Sequence, residues 1–412
     1  MAWDSLHRRA ASQYAEKRFA AALARTPLVK LQRATGTRLR IGYLSADFHD
    51  HATMRLLQGV LLAHEHERHA IHCYSYGPIR DAVTEAVEQA CDIFRDVSRL
   101  TDQEAAALIA ADEVDILVDL KGHTHGARLE IQAMRPAPVV VSWLGYAGSL
   151  GHPRLADYII GDPVVTPPEH AGAYSETLAL MPHTYQPNDR GRVIGARPSR
   201  AEVGLPATGV VFCCFNQSYK LGPATLDLWC QVLSRVPASV LWLLAPDKDT
   251  QVNLRREVQA RGLDAARLIF CGPVAPQAHL GRLQLADLAL DTYPYASHTT
   301  ASDALWVGVP MATRVGPTFA SRVAASLLQA AGVPELITHS GAEYVELVSA
   351  LALDGARLQA LREKLIALRQ TSPLFDTVRF ARDLERLYER IWAQHLAGKH
   401  GTIVLAPSSH AD

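Results

Sequence analysis

The sequence predicts an α/β protein with two parallel β-sheets in tandem, each covered by helices on both faces. Short apolar segments alternate with amphipathic segments of helical length, which is the pattern of parallel strands joined by crossover helices. The alternation runs through the first half, breaks in a stretch rich in proline and charge at Gln186–Arg200, and then starts again. A chain of 412 residues is long enough for two or three domains with sizeable cores.

The first half carries seven apolar segments that we predict to be strands, with helical segments between most of them. The predicted strands are Leu39–Leu44, Ile71–Tyr76, Ile93–Val97, Val114–Leu120, Val139–Trp143, Tyr158–Gly161 and Thr177–Met181. The predicted helices are Leu6–Leu23, Met54–His64, Ala82–Cys91, Asp102–Ala111 and Ala127–Met134.

The second half repeats the same alternation and closes with three long helices that are charged on one face. Its predicted strands are Val210–Phe215, Val240–Leu244, Leu268–Cys271, Leu288–Asp291 and Met311–Thr313. Its predicted helices include Thr225–Val236 and the closing helices Ala342–Leu351, Arg357–Arg369 and Thr377–Leu396.

Two such sheets in tandem imply two Rossmann-like domains that face one cleft. We therefore predict an N-terminal helical segment (1–38), a first Rossmann-like domain (39–190), a second one (191–376) and a C-terminal helix with a polar tail (377–412). We expect the tail Ala397–Asp412 to be mobile.

Composition points to a protein without a broadly charged surface. The 41 Lys and Arg residues nearly balance the 42 Asp and Glu residues, so nothing favours general electrostatic binding to nucleic acid or to an anionic membrane. The six cysteines show no CxxC spacing and mostly fall in apolar segments, which indicates buried thiols in a reducing compartment. The sequence has no signal peptide and no apolar run of membrane-spanning length. We expect a cytoplasmic protein.

A candidate anion site lies where the strand Leu288–Asp291 leads into the helical segment that begins near His298. The first turn of a helix has N–H groups without intrahelical partners and a partial positive charge. Thr299 and Thr300 can therefore offer N–H and hydroxyl donors to a diphosphate, and Asp303 can accept hydrogen bonds from a ribose. The alternative is that the two threonines only cap a helix.

A second strand-to-helix junction, Phe215–Lys220, carries a lysine and an amide. Lys220 can neutralise a phosphate and Gln217 can hydrogen-bond on either side of it, whereas the alternative for Lys220 is a solvated lysine at a helix start. No glycine-rich nucleotide motif occurs at a strand-to-helix turn. Pyrophosphate binding here would depend on a lysine and a helix terminus.

The amino-acid sequence of these segments, and of others along the chain, resembles the catalytic region of the O-linked N-acetylglucosamine transferase family. The resemblance is carried by "GYLSADFHDHAT", "DYIIGD", "FNQSYK", "QLADLALDT", "HTTASDALWVGVPM" and "SPLFDT", in unbroken order from about Leu39 to Leu396. It implies a GT-B glycosyltransferase fold, in which the last helix returns to the first domain. It also implies inverting transfer of N-acetylglucosamine from UDP-N-acetylglucosamine to protein Ser or Thr, with no metal and no cofactor.

The resemblance assigns the nucleotide to the second domain. A backbone amide near Ala275 and the imidazole of His279 would hold the uracil, with Arg282 nearby. The spacing in "PVAPQAH" is shorter than in animal members. The residues Gln217, Lys220, His298, Thr299, Thr300 and Asp303 match without gaps and would bind the diphosphate and ribose.

The first domain would carry the sugar and the acceptor. The residues matching Asp47, His51 and Thr53 lie in the family's active site, and Leu144 and Gly145 match positions against the sugar, where glycine lets backbone approach a ligand. From sequence alone, the alternative is that Asp47 caps the helix that starts near Thr53 and that His51 is a loop histidine. Candidates to take the proton of the acceptor hydroxyl are Asp47, His51, a water chain and the donor phosphate. A further family histidine lies upstream of the first strand, and Asp4–Thr37 contains no convincing match.

Other functions stay open at this point. Transfer of glucose to Asn and binding of nucleotide sugar without turnover are the two alternatives. A metal-dependent transferase would use an Asp-x-Asp motif, and Asp247-Lys248-Asp249 follows a strand, but we interpret it as a polar turn.

The family's helical repeats, roughly 34 residues each, do not precede the first strand. We therefore expect either a fragment of a longer protein or a short form that selects its acceptors differently.

Overall fold

The computed structural model describes residues 3–29 and 38–407. Residues 1–2 and 30–37 of the predicted N-terminal segment, and 408–412 of the predicted tail, lie outside the described residues. The chain divides into two compact units, one formed by residues 1–190 and 376–412 and the other by residues 191–375. Each unit holds one parallel sheet.

The first unit follows the predicted alternation of strands and helices. Its strands are β1 (Leu39–Ser45), β2 (His69–Ser75), β3 (Ile93–Asp96), β4 (Ile116–Asp119), β5 (Val139–Ser142), β6 (Tyr158–Gly161) and β7 (Thr177–Leu180). Its helices up to residue 190 are α1 (Trp3–Arg18), α2 (Ala20–Leu23), α3 (Ala52–Ala63), α4 (Ala82–Ala90), α5 (Asp102–Ala111) and α6 (Leu129–Ala133). The predicted helix Leu6–Leu23 is two helices, α1 and α2. Strand β4 and helix α6 are shorter than the segments predicted for them.

The second unit repeats the alternation with six strands that are all parallel. They are β8 (Val210–Cys214), β9 (Ser239–Leu244), β10 (Leu268–Cys271), β11 (Leu288–Leu290), β12 (Met311–Arg314) and β13 (Ile337–Thr338). The helices are α7 (Pro223–Arg235), α8 (Lys248–Ala260), α9 (Pro276–Leu283), α10 (Thr299–Trp306), α11 (Val323–Ala330), α12 (Gly341–Leu353) and α13 (Gly355–Leu368).

The chain then returns to the first unit through α14 (Thr377–Leu396), which packs against α3. After α14, Ile403–Val404 forms β14, which pairs in parallel with β7 at one edge of the first sheet. The prediction of a mobile tail is therefore wrong for this segment, because two of its residues complete the sheet. Two residues are too few for a periodic signal in the sequence.

The order of strands determines which loops are neighbours. The first sheet runs β14-β7-β6-β5-β4-β1-β2-β3, and the second runs β10-β9-β8-β11-β12-β13. The loops after β5, β4 and β1 therefore emerge side by side at one edge, and so do the loops after β8 and β11. These are the edges at which parallel sheets bind ligands.

The predicted fold class is confirmed in each unit, since both contain a parallel sheet with crossover helices. The strands in the middle of the first sheet, such as β4 and β5, are buried along their whole length. Within the described ranges, no helix is long and apolar enough to cross a membrane.

Candidate functional site

Asn216, directly after β8, hydrogen-bonds to polar side chains at the carboxyl edge of the sheet in the second unit. Its side chain is buried, and Nδ2 donates to Thr292 Oγ1 at 2.9 Å and to Ser297 Oγ at 2.7 Å. Thr300 Oγ1 donates to Asn216 Oδ1 at 2.7 Å. One amide therefore joins the end of β8, the loop after β11 and the first turn of α10. The sequence analysis quoted this residue within a motif and gave it no role.

Helix α10 begins at Thr299, as the anion-site hypothesis requires. Thr299 and Thr300 are its first two residues, so their N–H groups belong to the set that an α-helix leaves without an intrahelical acceptor. The hydroxyl of Thr300 differs from our expectation because its proton is committed to Asn216. The donors that this turn leaves for an anion are therefore the backbone N–H groups and the hydroxyl of Thr299.

Lys220 ends a short 3₁₀ turn, Ser218–Lys220, that follows Gln217. Its Nζ donates to Ala296 O at 3.0 Å and lies 4.3 Å from the centre of the Tyr295 ring. Burial lowers the pKa of Lys220 to about 8, against the opposing effect of the Asp291 carboxylate. Lys220 is therefore a partly buried ammonium with a fixed direction, and its interpretation as a solvated lysine is wrong.

The neighbouring His298 is a neutral imidazole beside that ammonium. Burial, together with the charge of Lys220, lowers the pKa of His298 to about 3. Its ring hydrogen-bonds to the backbone of Ala320, and its Nε2 has no hydrogen-bond partner among the described residues. A neutral histidine that donates from Nδ1 to a carbonyl keeps a lone pair on Nε2. His298 can therefore accept a hydrogen bond from a ligand.

His279, on α9, is held from behind by Arg282. Arg282 Nε donates to His279 Nδ1 at 3.3 Å, and its Nη1 donates to Gly272 O at 2.9 Å. The ring of His279 packs edge-on against Phe215 at 5.1 Å. Arg282 is only 7% exposed and orients His279; because His279 Nδ1 accepts this hydrogen bond, a neutral His279 ring carries its proton on Nε2. The expected place of Arg282 near the base stays a prediction.

Asp303 has a cationic partner that the sequence did not reveal. The guanidinium of Arg192 pairs with its Oδ1, and His279 Nε2 lies 3.7 Å from its Oδ2. Trp306 Nε1 donates to Arg192 O at 3.1 Å, which fixes the backbone of Arg192 against α10. Arg192 belongs to the stretch rich in proline and charge at which the alternation of strands and helices breaks, and no motif marks it.

The remaining predicted nucleotide residues lie on exposed positions of the same unit. Gln217 is exposed and precedes the turn of Lys220. Ala275 is exposed and occupies the N-cap position of α9, directly before Pro276. Asp247, from the Asp-x-Asp motif, caps α8 by accepting a hydrogen bond from Thr250 N at 2.7 Å. This is a structural role that agrees with a polar turn.

In the first unit, Asp47, His51 and Thr53 form a linked group after β1. His51, and not Asp47, is the N-cap of α3: its Nδ1 accepts from Thr53 N at 3.2 Å. The alternative in which Asp47 caps this helix is therefore wrong. Asp47 Oδ2 lies 3.5 Å both from Thr53 Oγ1 and from His51 Nδ1.

The protonation of His51 follows from these contacts. Burial lowers the pKa of His51, although the Asp47 carboxylate acts in the opposite direction. Because Nδ1 accepts the Thr53 N–H, the neutral ring carries its proton on Nε2. His51 therefore presents a donor, not a base, on its outer nitrogen.

Lys121, after β4, is a cation at this edge that the sequence analysis did not single out. Its Nζ donates to Asp47 Oδ1 at 3.0 Å, and its side chain is 9% exposed. The carboxylate of Asp119 fixes the loop by accepting from Lys121 N at 3.1 Å and from Gly122 N at 2.9 Å. Burial raises the pKa of Asp119 to about 6.

The loop after β5 holds Leu144 and Gly145. Leu144 has φ +73°, a left-handed conformation that is uncommon for a residue with a side chain. A Cβ on Gly145 would lie 2.1 Å from Leu120 O. Glycine is therefore required here by close approach to the neighbouring loop, which is a different reason from the approach to a ligand that we expected.

His7 on α1 lies against the same loop. Its Nε2 and Tyr146 OH are 2.8 Å apart, and a Cβ on Gly148 would lie 2.1 Å from His7 Cε1. The sequence analysis found no upstream histidine with a convincing match. The structure brings His7 next to the loop of Leu144 and Gly145, a contact between residues 139 positions apart that no local pattern could reveal.

Comparison with known proteins gives a family match over most of the chain. The model of glycosyl transferase family 41 matches residues 20–196 and 193–384. A probable UDP-N-acetylglucosamine–peptide N-acetylglucosaminyltransferase of Arabidopsis thaliana, SEC, is 39% identical over 370 residues, covering 88% of this chain and 38% of that protein. The corresponding enzyme of Caenorhabditis elegans is 31% identical, covering 91% of this chain and 43% of its own length. The chain therefore spans about two fifths of these relatives.

Solved structures give the same family and the fold. A mutant O-GlcNAc transferase of Thermobaculum terrenum superimposes with a TM-score of 0.88 at 35% identity, covering 95% of this chain and 74% of that one. Anabaena HepE in complex with UDP superimposes with a TM-score of 0.56 at 16% identity, covering 85% of this chain and 100% of its own, which speaks for the fold alone. The predicted GT-B fold is confirmed by these matches.

Proposed function

We propose that this chain, which belongs to glycosyl transferase family 41, transfers N-acetylglucosamine from UDP-N-acetylglucosamine to Ser or Thr hydroxyls of proteins. The observation that carries the proposal is the arrangement of Lys220 and the first turn of α10 around Asn216, at the carboxyl ends of β8 and β11. The relatives' names supply the donor and the acceptor class. The free thiols of all six cysteines suit a reducing, cytoplasmic setting.

The second unit would hold the donor and stabilise its departure. As the glycosidic bond breaks, UDP gains negative charge, which the Lys220 ammonium and the N–H groups of Thr299 and Thr300 would stabilise. His279, oriented by Arg282, would offer its Nε2–H to the uracil. The Nε2 lone pair of His298 would accept from a donor hydroxyl or N–H.

The first unit would receive the acceptor and its proton. Of the two side chains that we considered as bases, Asp47 has lone pairs on Oδ2, whereas neutral His51 offers Nε2–H. We therefore assign His51 to donating a hydrogen bond and Asp47 to accepting the hydroxyl proton, directly or through water. Lys121 compensates the charge of Asp47 from its other oxygen.

The test is incubation with isotopically labelled UDP-sugars and a mixed pool of protein acceptors, with products identified by mass spectrometry. N-acetylglucosamine on Ser or Thr is the expected product. Glucose on Asn would replace our proposal by the alternative transfer. Binding of UDP without any product would indicate a nucleotide-sugar-binding protein.

UDP should raise the melting temperature more than ADP does. The physical reason is that His279 and the backbone near Ala275 recognise the base, whereas the diphosphate contacts are common to both nucleotides. A ligand at about 100 times its Kd adds about 2.7 kcal/mol to the free energy of unfolding. Thermal denaturation with matched concentrations of the two nucleotides measures the difference, and equal shifts would contradict the uridine assignment.

Chelation should leave UDP binding and transfer unchanged. We expect this because positive charge at the diphosphate comes from Lys220 and α10, and because no group of His, Cys, Asp and Glu suited to a metal ion occurs among the residues described. Activity and UDP affinity are compared before and after exhaustive treatment with EDTA. A loss that Mn²⁺ restores would show that a metal takes part.

A further inference from the structure

Tyr295 contacts both side chains that we assign to the donor end of the reaction. It lies in the loop between β11 and α10, and its ring centre is 4.3 Å from Lys220 Nζ and 5.2 Å from the centre of the His298 ring. The two rings are stacked, with an interplanar angle of 21°. The backbone beneath is fixed, since Thr292 Oγ1 donates to Tyr295 O at 2.6 Å.

An aromatic face is a suitable partner for an ammonium that has lost most of its water. The negative face of the ring attracts the cation, and the attraction increases when the cation is desolvated. The charged state of Lys220 is opposed by burial and otherwise supported by the Asp291 carboxylate. His298 is neutral and offers it no charge.

We propose that Tyr295 is a positioning residue, whose ring face holds the Lys220 ammonium and the His298 imidazole in the arrangement that receives the donor diphosphate. The proposal rests on the proposed function, because it gives Lys220 its task. The Lys220 ammonium has three N–H groups, of which one donates to Ala296 O. With a second directed at the ring face, the third is left for a phosphate oxygen.

Two substitutions separate the ring face from simple bulk. Tyr295→Phe keeps the face and removes only the hydroxyl, while Tyr295→Leu keeps an apolar side chain and removes the face. Cation–π attraction ranges from about 2-fold at exposed sites to about 30-fold at desolvated ones, and Tyr295, at 41% exposure, lies between these limits. We expect Tyr295→Leu to lower kcat about 10-fold with little change in the KM for the acceptor, and Tyr295→Phe to retain most of the turnover. Thermal denaturation verifies that both variants are folded.

The pH profile provides a readout that packing alone would not change. Lys220 has a pKa of about 8, so kcat/KM of the unmodified protein should fall as the pH rises through this value and the ammonium loses its proton. Without the aromatic face the charged form is less stable. In Tyr295→Leu the fall should therefore begin at a lower pH, and in Tyr295→Phe it should not move.

A second measurement needs no substrate. An amine-reactive acetylating reagent modifies only the neutral amine, so the pH midpoint of labelling at Lys220, read by mass spectrometry, reports its protonation. Exposed Lys248 in the same unit is the internal control. The midpoint at Lys220 should fall in Tyr295→Leu alone, and that at Lys248 should stay constant in every variant.

The possible results decide between the two proposals. An unchanged Lys220 midpoint in Tyr295→Leu overturns the role of the ring, whatever the turnover. A lower midpoint with normal kcat shows that the ring holds Lys220 but overturns its effect on the diphosphate. If the unmodified protein transfers no sugar while the Lys220 midpoint still falls in Tyr295→Leu, the proposed function fails and the contact between Tyr295 and Lys220 stands.

Discussion

Replacement of Lys220 by alanine is expected to reduce turnover on the order of 10²–10³-fold, by comparison with the loss of single electrostatic contacts in other enzymes. In the proposed reaction the ammonium would matter most when the glycosidic bond breaks and UDP gathers negative charge, so kcat should fall more than donor affinity. Steady-state kinetics with UDP-N-acetylglucosamine, together with direct measurement of UDP binding, separates the two effects.

The environment of Lys220 determines which controls are needed. Alanine also removes the aliphatic stem and the hydrogen bond to Ala296 O, which lowers the stability of the fold. Removing a buried charge acts in the opposite direction, because the folded protein no longer has to desolvate it. Lys220→Met keeps the stem without the charge and should be as inactive as Lys220→Ala. Lys248→Ala, at an exposed position on α8, is the matched control and should retain full activity.

A weak effect would have a definite meaning. If well-folded Lys220→Ala and Lys220→Met proteins both transfer sugar within a few-fold of the unmodified protein, Lys220 is not the phosphate clamp. The first turn of α10 would then have to stabilise the diphosphate alone, with the N–H groups of Thr299 and Thr300 as its donors.

The parts of this molecule that the sequence predicted are those encoded locally. The apolar run Val139–Ser142 is buried along its whole length, and its neighbours in the sheet obey the same rule. The motif around His298 was found because it lies at a strand-to-helix junction, where the first turn of the helix has N–H groups without intrahelical acceptors. Helix α14 was located by its periodicity, and its return to the first unit was implied only by the family resemblance.

The parts that the sequence did not predict depend on pairs that are distant in the chain. Lys121 and Asp47 are 74 residues apart, and Arg192 and Asp303 are 111 residues apart. Each pair is set by which strands are neighbours and by which rotamer each side chain adopts, and neither leaves a periodic signal. Asn216 is a related case, since a buried amide between three loops reads in the sequence as an ordinary polar turn.

The sequence also did not predict the buried series of hydrogen bonds that anchors α14 within the first unit. Tyr388 OH donates to Tyr43 OH at 3.3 Å, Tyr43 OH and His64 Nε2 are 2.9 Å apart, and His64 Nδ1 and Glu385 Oε1 are 2.8 Å apart. Glu65 N also donates to Glu385 Oε1 at 2.8 Å. Burial lowers the pKa of His64, which keeps it neutral. Each donor in this series of hydrogen bonds therefore points toward the carboxylate of Glu385.

Replacement of Glu385 by glutamine or alanine is expected to lower the free energy of unfolding by about 3 kcal/mol at neutral pH. Burial raises the pKa of Glu385, but hydrogen bonds from His64, Arg382 and the Glu65 N–H outweigh it, so the pKa is lowered to about 2. A glutamate in the unfolded chain titrates near 4.3, so the difference of about two units corresponds to about 3 kcal/mol. Urea unfolding at several pH values measures it, with exposed Glu363→Gln on α13 as the control.

The sign of the pH dependence distinguishes this anchor from simple loss of packing. Because the pKa of Glu385 is lower in the folded protein, its stabilising effect is complete above about pH 5 and is lost as the pH falls toward 2. The difference between the unmodified protein and Glu385→Gln should therefore shrink over that range, whereas a packing defect would persist at every pH. A difference that stays constant from pH 7 to pH 3 would contradict the assignment of the charge. The donors of His64 and Glu65 would then be satisfied equally well by a neutral oxygen, and α14 would be held to the first unit by its apolar face.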